Sequence, residues 1–302
     1  MGRTDIAHRL RSNQIECAQI DPNGLCNLHC WYCPVGHYKH PAKGLPQMSG
    51  QLFDRVLNNL SLERGRLVSL AFRKLYTAHY NEIFLYDDLY QMFKTLMNHN
   101  MKTVLLSNGT NMSPAITRMI VENRAAMAGL GLTVPSVEEG EWRVLTGGTV
   151  QEFYNLIHNL TFAYSYIPGS VNLNMLGAKS LQTAQEMFPN WAVNRVSELV
   201  DRAGLLVPYG IDNSSIIAER RKDKTHIINC SNGNSRMYRW CNVTQEGNLF
   251  LCCDDFNMEY QFGSLATSTL RELWFSDEHI DMIERATSSD GICSRCQHAV
   301  WE

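Results

Sequence analysis

Residues 26–33 read Cys-Asn-Leu-His-Cys-Trp-Tyr-Cys, three thiols within eight positions and an aromatic just before the third. Core packing has no use for such a group. Closely spaced thiolates select iron–sulfur clusters, zinc or copper(I). A structural zinc site or a ferredoxin-type cluster needs a fourth ligand, yet the next cysteine along the chain is Cys230. Three cysteines and one open position suit a cluster that acts on a molecule bound to it.

Cys230, Cys241, Cys252, Cys253, Cys293 and Cys296 form a second group near the end, and only Cys17 stands apart. Ten cysteines could be a secreted disulfide framework. No apolar stretch of signal-peptide length opens the chain, however, and 302 residues can build a full core without staples. Two separated cysteine groups imply two metal sites. The net charge of −3 gives no footprint for nucleic acid, and no Lys/Arg run suggests a membrane surface. No segment approaches the ~18 uninterrupted apolar residues of a membrane span. The expectation is a cytoplasmic protein with neither nucleic-acid nor membrane partners.

Short apolar runs alternate with amphipathic stretches, the pattern of βα units on a parallel sheet. It predicts strands over 15–20, 67–72, 102–106, 128–134, 171–175 and 205–211. Helices are expected over 49–62, 84–98, 114–122, 150–160, 181–188 and 191–200, the third capped by Ser113. Near residue 213 the pattern changes. A polar linker over 214–224 precedes strands over 236–243 and 249–252, joined by a turn with Gly247 at positive φ. Helices over 269–275 and 278–286 and a final Cys-Ser-Arg-Cys follow. The division expected is 1–212 and 213–302, an α/β core followed by a small α+β extension. Six βα units make an open, partial barrel, whose functional loops sit at the C-terminal ends of its strands. The cysteine octapeptide follows the first strand.

CxxxCxxC with that aromatic, after the first strand of a partial (βα)6 barrel, resembles the radical S-adenosylmethionine (SAM) superfamily over roughly residues 13–212. The resemblance implies that Cys26, Cys30 and Cys33 hold three irons of a [4Fe–4S] cluster, SAM binding the fourth, with Tyr32 against the adenine. His79-Tyr80-Asn81-Glu82 stands where the family has a Gly-Gly-Glu-like turn, so Asn81 and Glu82 are expected at the SAM amino group. The glycines are missing. Ser107-Asn108-Gly109 resembles the turn near the SAM carboxylate or ribose. Thr133, Ser136, Asn172 and Asn174 stand where the family contacts the sugar.

The second group resembles the SPASM extension, or its short form, twitch. Gly247 to Cys252 fits a GxxxxC element, and Cys293-x-x-Cys296 follows in order. Three further cysteines of the full form are absent, which implies one auxiliary [4Fe–4S] cluster. Cys252, Cys293 and Cys296 follow from the motif. The fourth ligand is Cys230 or Cys241, and the family's preference for a position just before such a strand selects Cys230. Cys253, Cys241 and Asp254 are left as catalytic candidates.

The activity implied is reductive cleavage of SAM to a 5′-deoxyadenosyl radical that abstracts a substrate hydrogen atom, with a flavodoxin- or ferredoxin-type electron donor. One outcome is two-electron oxidation of a small polar molecule such as an aminocyclitol or sugar. A second is modification of a ribosomal peptide by cross-linking or by epimerisation, and in epimerisation Cys253 could return a hydrogen atom. A non-catalytic iron–sulfur electron carrier is a third.

Overall fold

A computed structural model describes residues 2–72, 74–167, 169, 171–177, 180–232 and 235–302. The strands are β1 (Cys17–Ile20), β2 (Lys74–Tyr76), β3 (Lys102–Ser107), β4 (Met127–Thr133), β5 (Val171–Met175), β6 (Ala192–Arg195), β7 (Ile227–Cys230), β8 (Trp240–Val243), β9 (Asn248–Phe250), β10 (Gln261–Ser264) and β11 (Ala299–Trp301). The helices are α1 (Arg3–Ser12), α2 (Gly50–Leu62), α3 (Leu89–Asn98), α4 (Pro114–Glu122), α5 (Glu139–Thr146), α6 (Val150–Tyr166), α7 (Ser180–Met187), α8 (Ser214–Arg221), α9 (Arg236–Arg239), α10 (Leu270–Trp274) and α11 (Asp277–Ala286). None of these helices is long and apolar enough to cross a membrane. The chain divides into two compact units, one of residues 22–47 and 74–199, the other of 1–21, 48–73 and 200–302.

In the first unit β2 to β6 pair in sequence order, all parallel. Parallel neighbours need crossovers, and α3, α4, α5 with α6, and α7 supply them. The helices start where the sequence provides caps. Ser113 accepts the Ile116 N–H ahead of Pro114, and Thr149 with Glu152 closes a capping box. Leu105, Leu130, Leu132, Leu173 and Met175 of the sheet are buried, as are Phe93, Leu96, Leu156 and Leu160 of the helices. Each such side chain contributes roughly 1.5–3 kcal/mol by leaving water.

In the second unit β1 pairs parallel with β8, and β8, β9 and β10 are antiparallel. Gly247, at φ +84, makes the turn between β8 and β9, as expected from its position. β7 and β11 form a separate antiparallel pair. Phe53, Val56, Leu57 and Leu60 line the buried face of α2, all fully buried.

Several expected elements differ. Over 67–72 there are only isolated bridges, from Val68 to Ile15 and to Arg64, because Val68 is drawn into the turn after α2 through its N–H to Glu63. The strand forms later, at β2. The apolar run at 205–211 is a tight turn, with Pro208 in a 3-10 segment and Gly210 at φ +87. The sixth strand is instead β6, within the stretch expected as helix. It is exposed along most of its length, so its sequence carries no alternation, and its pairing with β5 defines it. The polar 214–224 stretch contains α8.

Candidate functional site

Hydrogen bonds hold the cysteine loop in shape from both sides. Asn23 Oδ1 accepts the Leu25 N–H at 2.8 Å, and the Leu25 carbonyl accepts the Glu82 N–H at 2.6 Å. Further on, the His29 and Trp31 N–H groups bond the Thr146 and Leu145 carbonyls at 2.9 and 3.3 Å, capping the last turn of α5. Gly36 permits the tightest approach. A Cβ there would stand 2.3 Å from the Cys30 carbonyl oxygen. Cys26, Cys30 and Cys33 are thereby left half-buried on one short loop. Burial pushes the Cys26 thiol up to about 11 and Cys30 to about 12, with the neighbouring cysteines adding to both. The Tyr32 hydroxyl bonds Cys30, and burial lifts its own ionisation as well. Such thiols stay neutral unless a cation replaces the proton, as a metal does.

Beside the loop, Glu82 is fully buried and accepts three hydrogen bonds. Oε1 takes the Phe84 N–H at 3.0 Å and the Ser107 hydroxyl at 2.7 Å, and Oε2 takes the Asn108 N–H at 2.7 Å. Burial pushes this carboxyl above the usual range while the three donors pull it back. The Asn108 amide reaches Asn27 Oδ1 at 3.1 Å and Cys26 Sγ at 3.9 Å. Asn27, Thr110 and Asn111 complete this network, and Asn159 of α6 bonds the Thr110 carbonyl at 2.8 Å. Sequence reasoning missed these four. Asn27 lies inside the octapeptide and could have been noticed; the others take their meaning from the fold.

Of the remaining expected residues, Asn81 donates nothing from Nδ2, a buried amide nitrogen without a partner among the described residues. Thr133 ends β4 in register with Asn174, and Gly131 pairs with Asn172. Asn172 and Asn174 share one face of β5 as their alternation requires, Asn172 exposed and Asn174 half-buried. Ser136 lies elsewhere in the network of interactions. Its hydroxyl meets Ser180 at 2.7 Å and accepts the Glu138 N–H at 2.9 Å, at the start of α5.

The second unit brings the other cysteines together. A cavity there is lined by Cys230, Cys252, Cys293 and Cys296, with Asp254 and Arg236. Cys230 ends β7, Cys252 follows β9, and the last pair sits on the turn before β11. Cys241 does not reach the cavity. It is fully buried in β8, opposite Ala18 of β1. Burial raises the Cys230, Cys293 and Cys296 thiols, Cys293 to about 12, and a bond with Cys253 together with burial raises Cys252. The Cys252 and Cys253 sulfurs and an Asp254 oxygen lie within 4.8 Å of one another. Asp254 is buried and accepts Arg202 Nη1 at 2.9 Å. Burial opposes its charge, but Arg202 outweighs that and holds the carboxyl below the usual range. Arg236 lies against Cys253 and stacks over the Trp240 ring at 3.9 Å.

Residues 230–297 match the family model for SPASM, an iron–sulfur cluster-binding domain. The chain carries a SPASM domain. All four cavity cysteines fall within it. Among curated proteins the chain finds no match. Solved structures resemble it over nearly its whole length. BtrN in complex with AdoMet and 2-DOIA has 17% identity and a TM-score of 0.59, over 95% of this chain and 93% of that one. Streptococcus suis SuiB bound to precursor peptide SuiA has 12% identity and a TM-score of 0.64, over 98% and 73%. Native anSMEcpe with bound AdoMet has 12% identity and a TM-score of 0.62, over 94% and 88%. At such identities the likeness is one of fold, and the α/β fold expected from the radical SAM resemblance is the one observed.

Proposed function

We propose that the chain is a radical SAM enzyme that oxidises a small polar substrate, such as an aminocyclitol or sugar alcohol, by two electrons. The observation that carries the reading is the pairing of a three-cysteine loop in one unit with a four-cysteine cavity in the SPASM domain. Cys26, Cys30 and Cys33 would hold a [4Fe–4S] cluster with one iron open to SAM. Cys230, Cys252, Cys293 and Cys296 would close the coordination of the other. When bound, the first cluster and SAM supply a 5′-deoxyadenosyl radical that removes one hydrogen atom from the substrate carbinol. Loss of one proton and one further electron would then leave the carbonyl, and a cluster held by Cys230, Cys252, Cys293 and Cys296 would supply an acceptor for that electron.

The chain's own residues prepare the binding site. Asn81, whose amide nitrogen has no partner among the described residues, and Thr133 and Asn174, paired across β4 and β5, are the proposed SAM contacts with Tyr32. Glu82 and Ser107 tie the loop that carries Asn81 to the loop after β3. The small-molecule arm is supported by the near end-to-end likeness to BtrN, solved with 2-DOIA. A peptide substrate is the second reading, supported by the likeness to SuiB with its precursor peptide. For epimerisation of such a peptide, Cys253, held against Arg236, is the proposed hydrogen-atom donor.

The reading is tested by anaerobic reconstitution with iron and sulfide, then SAM and dithionite. About eight irons per chain and formation of 5′-deoxyadenosine are expected. Cluster binding without 5′-deoxyadenosine would leave an electron carrier instead. Cys253→Ala separates oxidation from epimerisation, because an epimerase loses turnover with both clusters retained and a dehydrogenase does not.

A further inference from the structure

We propose that Asn108 is a positioning residue for the first cluster, its side-chain amide donating an N–H···S hydrogen bond to Cys26 that raises the cluster's reduction potential. The inference rests on the reading of Cys26 as an iron ligand.

Which end of the Asn108 amide faces Cys26 is settled by its neighbours. The Thr110 backbone N–H, which can only donate, lies 2.9 Å from Asn108 Oδ1, so that atom must be the oxygen. The Thr110 hydroxyl gives its one proton to the same oxygen at 2.5 Å and accepts from Asn27 Nδ2 at 3.0 Å. That turns Asn27 Oδ1 toward Asn108 and Asn111, whose amides reach it at 3.1 and 3.0 Å. The ring of donors and acceptors closes in one sense only. One Asn108 N–H is spent on Asn27, and the other is left for Cys26 Sγ at 3.9 Å.

The donor is also preorganised. Glu82 grips the Asn108 main chain, and buried Asn159 grips the Thr110 carbonyl. A neutral thiol attracts such a donor weakly; a metal-bound thiolate attracts it more strongly and shortens the contact. Reduction adds negative charge to the cluster and its sulfurs, so the N–H dipole stabilises the reduced state more than the oxidised one.

Asn108→Ala and Asn108→Asp in the full chain, reconstituted anaerobically, test this by potentiometric titration. EPR follows the cluster whose signal changes on adding SAM. At a fixed potential near the midpoint, the reduced-to-oxidised ratio is expected to fall about tenfold in both variants, with SAM affinity retained. An unchanged ratio overturns the inference, and so does a loss confined to SAM affinity, which would place the amide on SAM. Where a variant fails to take up iron, Thr110→Val carries the test: it removes the hydroxyl that orients the amide and should shift the ratio the same way by less. No shift there overturns the inference as well. If no wild-type signal responds to SAM, the function proposed above fails and this inference with it. A responsive wild type with unshifted variants refutes the inference alone.

Discussion

The Glu82 carboxylate accepts the Asn108 backbone N–H at 2.7 Å, joining the loop after β2 to the loop after β3. The Ser107 hydroxyl and Phe84 N–H complete its donors. An acid that the SAM resemblance places at a ligand amine is, within the protein, a buried joint between two loops that flank the cysteines. Hydrogen bonds to a charged group are worth about 1.5–3 kcal/mol each, so such a joint can hold loop geometry without a nearby cation.

Glu82→Gln should destabilise the protein by about 2 kcal/mol. Whichever way the new amide turns, its NH2 faces a backbone N–H, either Asn108 or Phe84, and one buried donor loses its acceptor. Urea unfolding at neutral pH measures the change. A loss under about 0.5 kcal/mol would mean that the carboxylate does not bridge the loops.

Arg202 and Asp254 form a one-sided pair, the acid buried and the base a third exposed. Arg202→Met strands a buried carboxylate and should cost about 3 kcal/mol, at the lower end for a broken buried pair because Arg202 is already part-solvated. Asp254→Asn on top of Arg202→Met should recover much of that loss. The double-mutant cycle, read by thermal unfolding, decides. Additive losses would show that the two do not act as a pair.

The parts legible in the sequence are those whose signal is local. Ser113-Pro114 announces α4, Phe53 to Leu60 repeat at helical spacing in α2, and Gly247 marks its turn. The octapeptide's chemistry lies in its spacing, which needs no tertiary context to be read. β6 and β2 are illegible for a physical reason, since Ala192–Arg195 is mostly exposed with no alternation to detect and β2 is only three residues long. Tertiary pairing defines both. The Asn27, Asn108, Thr110 and Asn111 ring is hidden likewise, because any of these residues alone reads as a turn former. The cavity bringing Cys230 to Cys252 depends on β7 pairing with β11, and no periodicity over 227–230 or 299–301 foretells that.

His279 should make stability fall in mild acid. It is fully buried, stacked on Phe262 at 3.9 Å, with Nδ1 at 2.8 Å from the Trp274 carbonyl, and burial lowers its pKa to about 4. Unfolded, it titrates near 6.5. Its contribution is complete above pH 6.5 and is lost as pH falls toward 4, up to about 3 kcal/mol, because only the unfolded chain takes the proton. His279→Phe, which can keep the stack, should flatten this part of the profile. Urea midpoints at pH 7.5 and 5 for both chains test it, and equal acid losses in the two would exclude His279 as the cause.

Cys230 and Cys241 should part company on substitution. Cys230 faces the cavity shared with Cys252, Cys293 and Cys296, while Cys241 packs in β8 opposite Ala18. If the cavity holds the auxiliary cluster, Cys230→Ala removes one of four ligands, and reconstituted iron should fall from about eight to about four per chain. Because metal binding is coupled to folding, the SPASM domain should also unfold earlier. Cys241→Ala deletes one small buried group and should cost about 1 kcal/mol with the iron count unchanged. Iron analysis with Mössbauer spectra of both variants gives the answer. Iron lost from the Cys241 variant alone would make Cys241 the ligand and return Cys230 to a packing role.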